Sequence, residues 1–195
     1  MSEVAAKGCL FIISGPSGVG KSTLVQRLLK SDPSLTFSIS CTTRPQRPRE
    51  RDGVNYHFIS NGQFQKMVRE HQFLEYAEYN GNWYGTPLAP LQQWVAQGKK
   101  VILEIEVQGA RQLQAQRETL PIPMCFIFIL PPSKAQLKDR IQRRGTESAA
   151  KRESRLKIAE KELKEASWFD INIVNNTLED AFAKLQRIIA QPGPA

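Results

Sequence analysis

Hydrophobic positions at the start of the chain form one short unbroken run, Leu10 to Ile13, and after a glycine-rich stretch Leu24, Leu28 and Leu29 recur at helical spacing. The run predicts a strand buried on both faces, and the spacing predicts an amphipathic helix over Ser22 to Lys30. Val101 to Ile105 and Met124 to Leu130 predict two more core strands, each followed by a helical segment, and Ile171 to Val174 predicts a last one. This alternation predicts an α/β fold with a parallel sheet. Ser133 predicts the cap of a helix from Lys134 to Arg143, which Gly145 interrupts before a long charged helix from about Ser148 to Ser167. Thr177 with Asp180 forms a capping-box-like pair ahead of the last helix, and Pro192-Gly193-Pro194 predicts a frayed tail.

The middle of the chain has a different pattern. Ser38 to Ser40 predicts a short strand, and Pro45 and Pro48 force Thr42 to Gly53 into a loop. Phe64, Met67, Val68 and His71 share one helical face, and Phe73 to Tyr79 predicts a strand. Thr86-Pro87 predicts an N-cap followed by proline in the first helical position, with the helix reaching about Gln97. The expected organisation is one domain: a core from residues 1–36 and 84–195, with a compact mixed lobe, 37–83, inserted in it.

A chain of 195 residues can bury the core of such a domain, and 41% apolar with 24% charged residues excludes disorder. The longest apolar run, Met124 to Leu130, is too short to span a bilayer, and the polar stretch Met1 to Lys7 has no secretory pattern, so a soluble, cytoplasmic protein is expected. Cys9, Cys41 and Cys125 lie in no metal-ligand spacing. The net charge of +8 calls for an anionic partner, either nucleic acid or phosphorylated small molecules. Its basic residues concentrate in Arg44 to Arg51 and Lys134 to Arg155, without the interleaved aromatics of a single-strand stacking surface.

One motif narrows the chemistry. Gly15-Pro16-Ser17-Gly18-Val19-Gly20-Lys21-Ser22 satisfies G-x-x-x-x-G-K-[ST] between a strand and a helix. Its glycines turn backbone N–H groups toward a polyphosphate, the helix N-terminus adds its dipole, Lys21 reaches the β- and γ-phosphates, and Ser22 can ligate Mg²⁺. The Asn-Lys-x-Asp base-recognition motif of GTP switches does not occur. Glu104 and Glu106, at the end of a core strand, stand near where P-loop enzymes place a magnesium-organising acid.

Further segments extend the pattern: Ser40-Cys41-Thr42-Thr43-Arg44-Pro45-Gln46-Arg47, Gly53 to Phe58 with Tyr56, Glu75 to Thr86 with Tyr84, then Arg140, Arg144-Gly145-Thr146, Arg155 and Ile173-Val174-Asn175. With the P-loop, these resemble the guanylate kinase family over nearly the whole chain, from about Gly8 to Ile189. The resemblance implies a three-layer P-loop fold with a parallel core sheet, an inserted GMP-binding lobe and a helical lid at about residues 140–158. It implies phosphoryl transfer from Mg·ATP to GMP, and to dGMP, giving ADP and GDP in purine nucleotide synthesis and GMP recycling.

The implied ATP site is Gly15 to Thr23 with Asn175, and Mg²⁺ on Ser22. The implied GMP site is Ser40, Arg44, Arg47, Tyr56, Glu75, Tyr84, Thr86, Glu104 and Glu106. Lys21, Arg44, Arg140, Arg144 and Arg155 are the implied catalytic cations. The chemistry agrees: forked arginines suit a dianionic phosphate, and a carboxylate can accept both N1–H and N2–H of guanine, whereas adenine presents an acceptor at N1. No nucleic acid or membrane partner is implied, and a monomer or weak homo-oligomer is expected. The sequence departs from the family at Arg49, where glycine is usual, at Glu104 and Glu106, where many members have Asp-x-Asp, and at Glu147 to Ala150, a less acidic lid turn. An interaction module on the same fold would be expected to lose phosphate-binding groups, which are present here.

Overall fold

A computed structural model describes residues 8–142 and 149–191. Its centre is a five-stranded, wholly parallel sheet in the order β2-β7-β1-β8-β9, where β1 is Cys9–Ser14, β2 Thr36–Phe37, β7 Lys100–Glu104, β8 Met124–Leu130 and β9 Ile171–Val174. Strand alternation sends side chains to opposite faces, which explains why these strands are apolar at nearly every position. On one face Phe11, Ile13, Ile127 and Ile129 pack under α1 (Lys21–Ser31), α5 (Lys134–Gln142), α6 (Ala149–Leu163) and α7 (Leu178–Ala190). On the other, Leu10, Ile12, Leu103 and Phe126 pack under α3 (Leu88–Ala96) and α4 (Val107–Ala115). The result is a three-layer α/β fold, a parallel sheet between two layers of helices.

A second sheet, mixed in direction, has the order β4-β3-β6-β5, with β3 at Cys41–Thr42, β4 at His57–Phe58, β5 at Phe73–Tyr79 and β6 at Asn82–Pro87. It packs with α2 (Asn61–Arg69) around a small cluster of Cys41, Phe64 and Phe73, in which the Phe64 and Phe73 rings stack at 4.6 Å. Ser60 caps α2 through a full capping box with Gln63.

Three elements differ from expectation. Ser38 to Ser40 is no strand, because there the chain leaves the main sheet, where Ser38 N–H donates to Ile102 O at 2.9 Å, and enters the second, where Ser40 O accepts from His57 N–H at 2.9 Å. Thr86 is not an N-cap: β6 runs on to Pro87, which takes the cap position, and Thr86 is buried inside the strand. His71 lies beyond the end of α2 in a left-handed turn at φ 51°, which removes it from the helical face. The long charged helix ends in a 3₁₀ turn, Lys164–Trp168. Ser133 Oγ accepts from Gln136 N–H and Thr177 Oγ1 from Asp180 N–H, as caps do. Arg143 to Ser148 and the 192–194 tail fall outside the described residues.

Candidate active site

The phosphate-binding loop leaves the C-terminal end of β1, in the centre of the main sheet, and enters α1. Ser14 anchors the exit by donating to Ile105 O at 2.9 Å. Gly15, at φ 143°, passes so close to β8 that a Cβ there would lie 2.5 Å from Ile129 O, so no other residue fits. Gly20 caps α1 at φ 103° without a side-chain bond, leaving the first-turn N–H groups of the helix available to an anion. The buried Lys21 ammonium donates to Gly15 O at 2.5 Å and lies 4.0 Å from a Glu106 carboxylate oxygen.

Three later elements hold the loop from outside. Asn175, which continues β9, donates to Val19 O at 2.7 Å. Arg140 on α5 donates to Val19 O and Asn175 O, both at 3.2 Å. From α6, Arg155 donates to Ser17 Oγ at 2.5 Å, and Glu162 accepts from Ser17 N–H at 3.4 Å. Two of the three expected lid arginines thus reach the loop directly, while Arg144 lies outside the described residues. Thr23 follows Ser22 on the exposed side of α1.

Opposite the loop is Glu75, on an edge strand. The pairing of β5 with β6 shifts register between Phe73 and Glu75, and three consecutive residues are buried as a result. Such a bulge re-aims side chains: Phe73 joins the small cluster, Leu74 the core of the main sheet, and Glu75 the cleft between them. Glu75 Oε1 accepts from the Thr86 hydroxyl at 2.5 Å. Ser40, Tyr56 and Tyr84 line the same cleft, with the two tyrosine rings meeting edge to face at 5.8 Å. Arg44 stands above the Tyr56 ring at 5.4 Å, and its guanidinium forks onto Glu50 at 3.0 and 2.9 Å. The main-chain N–H of Arg47 donates to the same carboxylate at 2.9 Å, while its side chain is exposed.

The cleft is rich in carboxylates that burial disfavours in ionised form. Burial pushes Glu75 up to about 7, against the pull of the Thr86 hydroxyl. Burial, with the Glu106 charge beside it, likewise pushes Glu162 up to about 7. Glu104 is raised by burial, which Lys21 and Ser22 partly offset, and its Oε1 accepts from Ser22 Oγ at 2.6 Å. Glu50 behaves oppositely: burial alone would raise it, but the Arg44 fork and Arg47 N–H hold it below the ordinary carboxylate range.

Ser22 and Glu104 form a pair of hard oxygen donors beside the phosphate loop, which suits Mg²⁺, an ion held by one or two protein groups together with substrate phosphate and water. No cluster of three His, Cys, Asp or Glu side chains arranged for a metal occurs among the described residues. β7 ends at Glu104 and Glu106 caps α4, so the two are not on one strand face, yet both line the cleft.

Glu50, Tyr79, Glu162 and Gly109 also belong to this site and were not singled out from sequence. Glu50 carried a signal as the acid set between Arg49 and Arg51, and Gly109 as a glycine inside a helical pattern. Glu162 sat unmarked in a charged helix, and Tyr79 in an ordinary strand.

The family described as guanylate kinase matches residues 7–192. Guanylate kinase of Thermosynechococcus vestitus is 49% identical over 99% of this chain and 99% of its own length. That of Synechocystis sp. is 46% identical over 97% of each chain. The crystal structure of guanylate kinase from Anaplasma phagocytophilum superposes with a TM-score of 0.77 at 30% identity, covering 94% of this chain and 85% of its own.

Proposed function

The chain belongs to the guanylate kinase family, and on that premise we propose that the cleft between Lys21 and Glu75 holds both of its substrates, the triphosphate on residues 15–23 and GMP against the second sheet. It is an ATP:GMP phosphotransferase: a phosphoryl group passes from ATP to GMP, giving ADP and GDP. The observation that carries the site assignment is one buried carboxylate, Glu75, lining the same cleft as the P-loop ammonium.

Glu75 reads the base. An ionised carboxylate has about four acceptor sites, and Thr86 uses one of them, so N1–H and N2–H of guanine can both be accepted. Arg44, with Arg47, Tyr56 and Tyr84, takes the GMP phosphate, and Glu50 holds the Arg44 fork in place for it. The attacking phosphate oxygen needs no general base, because the second pKa of a phosphate monoester is about 6. The exposed His57 and His71 stand outside the cleft, consistent with that chemistry. Lys21, Arg140, Arg144 and Arg155 neutralise charge on the group in transfer. Ser22 and Glu104 would hold Mg²⁺, which when bound polarises phosphate oxygens as a Lewis acid.

In this reading residues 37–83 are the GMP lobe, to which β6 adds its remaining residues up to Pro87, 1–36 and 84–195 are otherwise the P-loop core, and about 140–158 the lid. dGMP is a second acceptor, and the enzyme works as a cytoplasmic monomer or weak homo-oligomer in purine nucleotide supply, without a nucleic-acid partner. Among the described residues no helix is long and apolar enough to cross a membrane. Coupled measurement of ADP release tests the site. GMP supports turnover and AMP at least about 100-fold less, given the cost of facing an acceptor with a buried carboxylate. Equal use of the two bases removes Glu75 from base selection.

A further inference from the structure

α4 packs across β5, the edge of the second sheet, in an unusual way. Gln112 stands where a neighbouring strand would be, its amide donating to Tyr76 O at 2.6 Å and accepting from Tyr76 N–H at 3.3 Å. Gly109 lies three residues earlier on the same helical face and is buried. A Cβ built on Gly109 would overlap Glu75 Oε2 and lie 2.8 Å from Glu75 Cδ, whereas the next neighbour, Ile105 Cδ1, is at an ordinary 3.4 Å. The backbone of Gly109 is not left-handed, and glycine is among the poorest residues for a helix interior. Close approach of the carboxylate is what this position requires.

We propose that Gly109 is a positioning residue for guanine recognition: the space left by its missing side chain seats the Glu75 carboxylate. The inference rests on Glu75 reading the base, as argued above. Thr86 fixes one carboxylate oxygen and the bare α4 backbone walls the other, so the plane of the acceptor pair is set before substrate arrives. A methyl group at 109 turns the carboxylate away, or lifts α4 and breaks the Gln112 clamp on Tyr76. The phosphate loop is untouched in either case.

The experiment is a double-mutant cycle read by GMP and ATP affinity, steady-state kinetics and Tm on the full chain. Gly109→Ala weakens GMP binding and raises KM for GMP by about 10- to 100-fold, with ATP affinity held within about twofold and kcat at saturating GMP changed less than KM. In the Glu75→Ala background the same substitution costs no more than about twofold in GMP affinity and leaves Tm equal or higher, since the group it collides with is gone. Wild-type GMP affinity in Gly109→Ala, beside a Glu75→Gln variant that has lost it, overturns the inference and leaves the Glu75 reading standing. Losses that multiply in the double variant overturn it too. Glu75→Gln with wild-type GMP affinity overturns both. If Gly109→Ala fails to fold, folding restored by Glu75→Ala supports the collision, and failure in both backgrounds refutes it.

Discussion

The two sides of the cleft are built from unlike material. On the donor side the phosphate loop springs from the central strand of a sheet covered on both faces, and its shape is imposed by backbone: Gly15 against β8, Gly20 against Asn175, and hydrogen bonds onto Val19 O from two elements. The acceptor side rests on a four-stranded sheet that packs with α2 around a cluster of three buried apolar residues, and its geometry is set by pairs of side chains, Glu75 with Thr86 and Arg44 with Glu50. A site made of backbone resists single substitutions until the fold fails. One made of side-chain pairs can lose a substrate while the fold survives.

The largest effect expected comes from cutting each core. Phe128→Ala, under the main sheet, and Phe64→Ala, in the small cluster, each cost about 3–5 kcal/mol of stability by the usual penalty for an emptied aromatic site. They should part in function. Phe128→Ala lowers Tm without separating the substrates, while Phe64→Ala also raises KM for GMP and speeds hydrogen exchange in β5 and β6. Identical exchange patterns in the two variants would mean the sheets melt as one unit and the contrast is false. Next is Lys21→Met, expected to lower kcat on the order of 10²–10³-fold with little change in GMP binding, because the ammonium donates to the phosphate loop and meets the acceptor side only at Glu106, 4.0 Å away. An equal loss of GMP affinity would show that the halves share Lys21.

Legibility from sequence follows the same division. Strands buried on both faces announce themselves as apolar runs, which is why Met124–Leu130 has the bounds its pattern predicts. The phosphate loop is contiguous, so eight neighbouring residues reveal it. In the second sheet β5 also has the bounds its pattern predicts, Phe73–Tyr79, but β3 and β4 are two-residue strands reached through the crossing between sheets at Ser38 to Ser40, where no local period exists. Thr86 misled because Thr-Pro is a good helix start locally, and its tertiary task, bonding Glu75, is invisible in the pair itself. Glu75, Arg44 and Tyr56 were found through resemblance. Glu162 was missed because its contact with Ser17 spans 145 positions.

Base reading itself gives the next effect in size. Glu75→Gln sets an amide donor against the guanine donors and should lower kcat/KM for GMP by about 10- to 100-fold, with ATP affinity unchanged. Equal weakening of both nucleotides would make Glu75 a structural residue and dissolve the contrast at its centre.

The smallest effect is a pH dependence that belongs to the acceptor side. Burial lifts Glu75 to about 7 from an ordinary 4.5, so the folded chain holds a proton there that the unfolded chain has released. The stability this contributes is fully present below pH 4.5 and is lost as pH rises through 7, with Glu162 contributing in the same direction. The Tm of the nucleotide-free protein therefore falls across that window, and falls less in Glu75→Gln. GMP affinity runs the other way, because guanine needs the ionised carboxylate. With a pKa near 7 the ionised fraction grows from about a tenth at pH 6 to about nine-tenths at pH 8, which improves kcat/KM for GMP by about tenfold. The GMP phosphate titrates near pH 6 as well, so the quantity to follow is the ratio of wild type to Glu75→Gln, in which the phosphate cancels. A ratio that stays flat from pH 6 to 8 would show that the carboxylate is already ionised when GMP arrives, and that side-chain pairing fixes the acceptor half as firmly as backbone fixes the donor half.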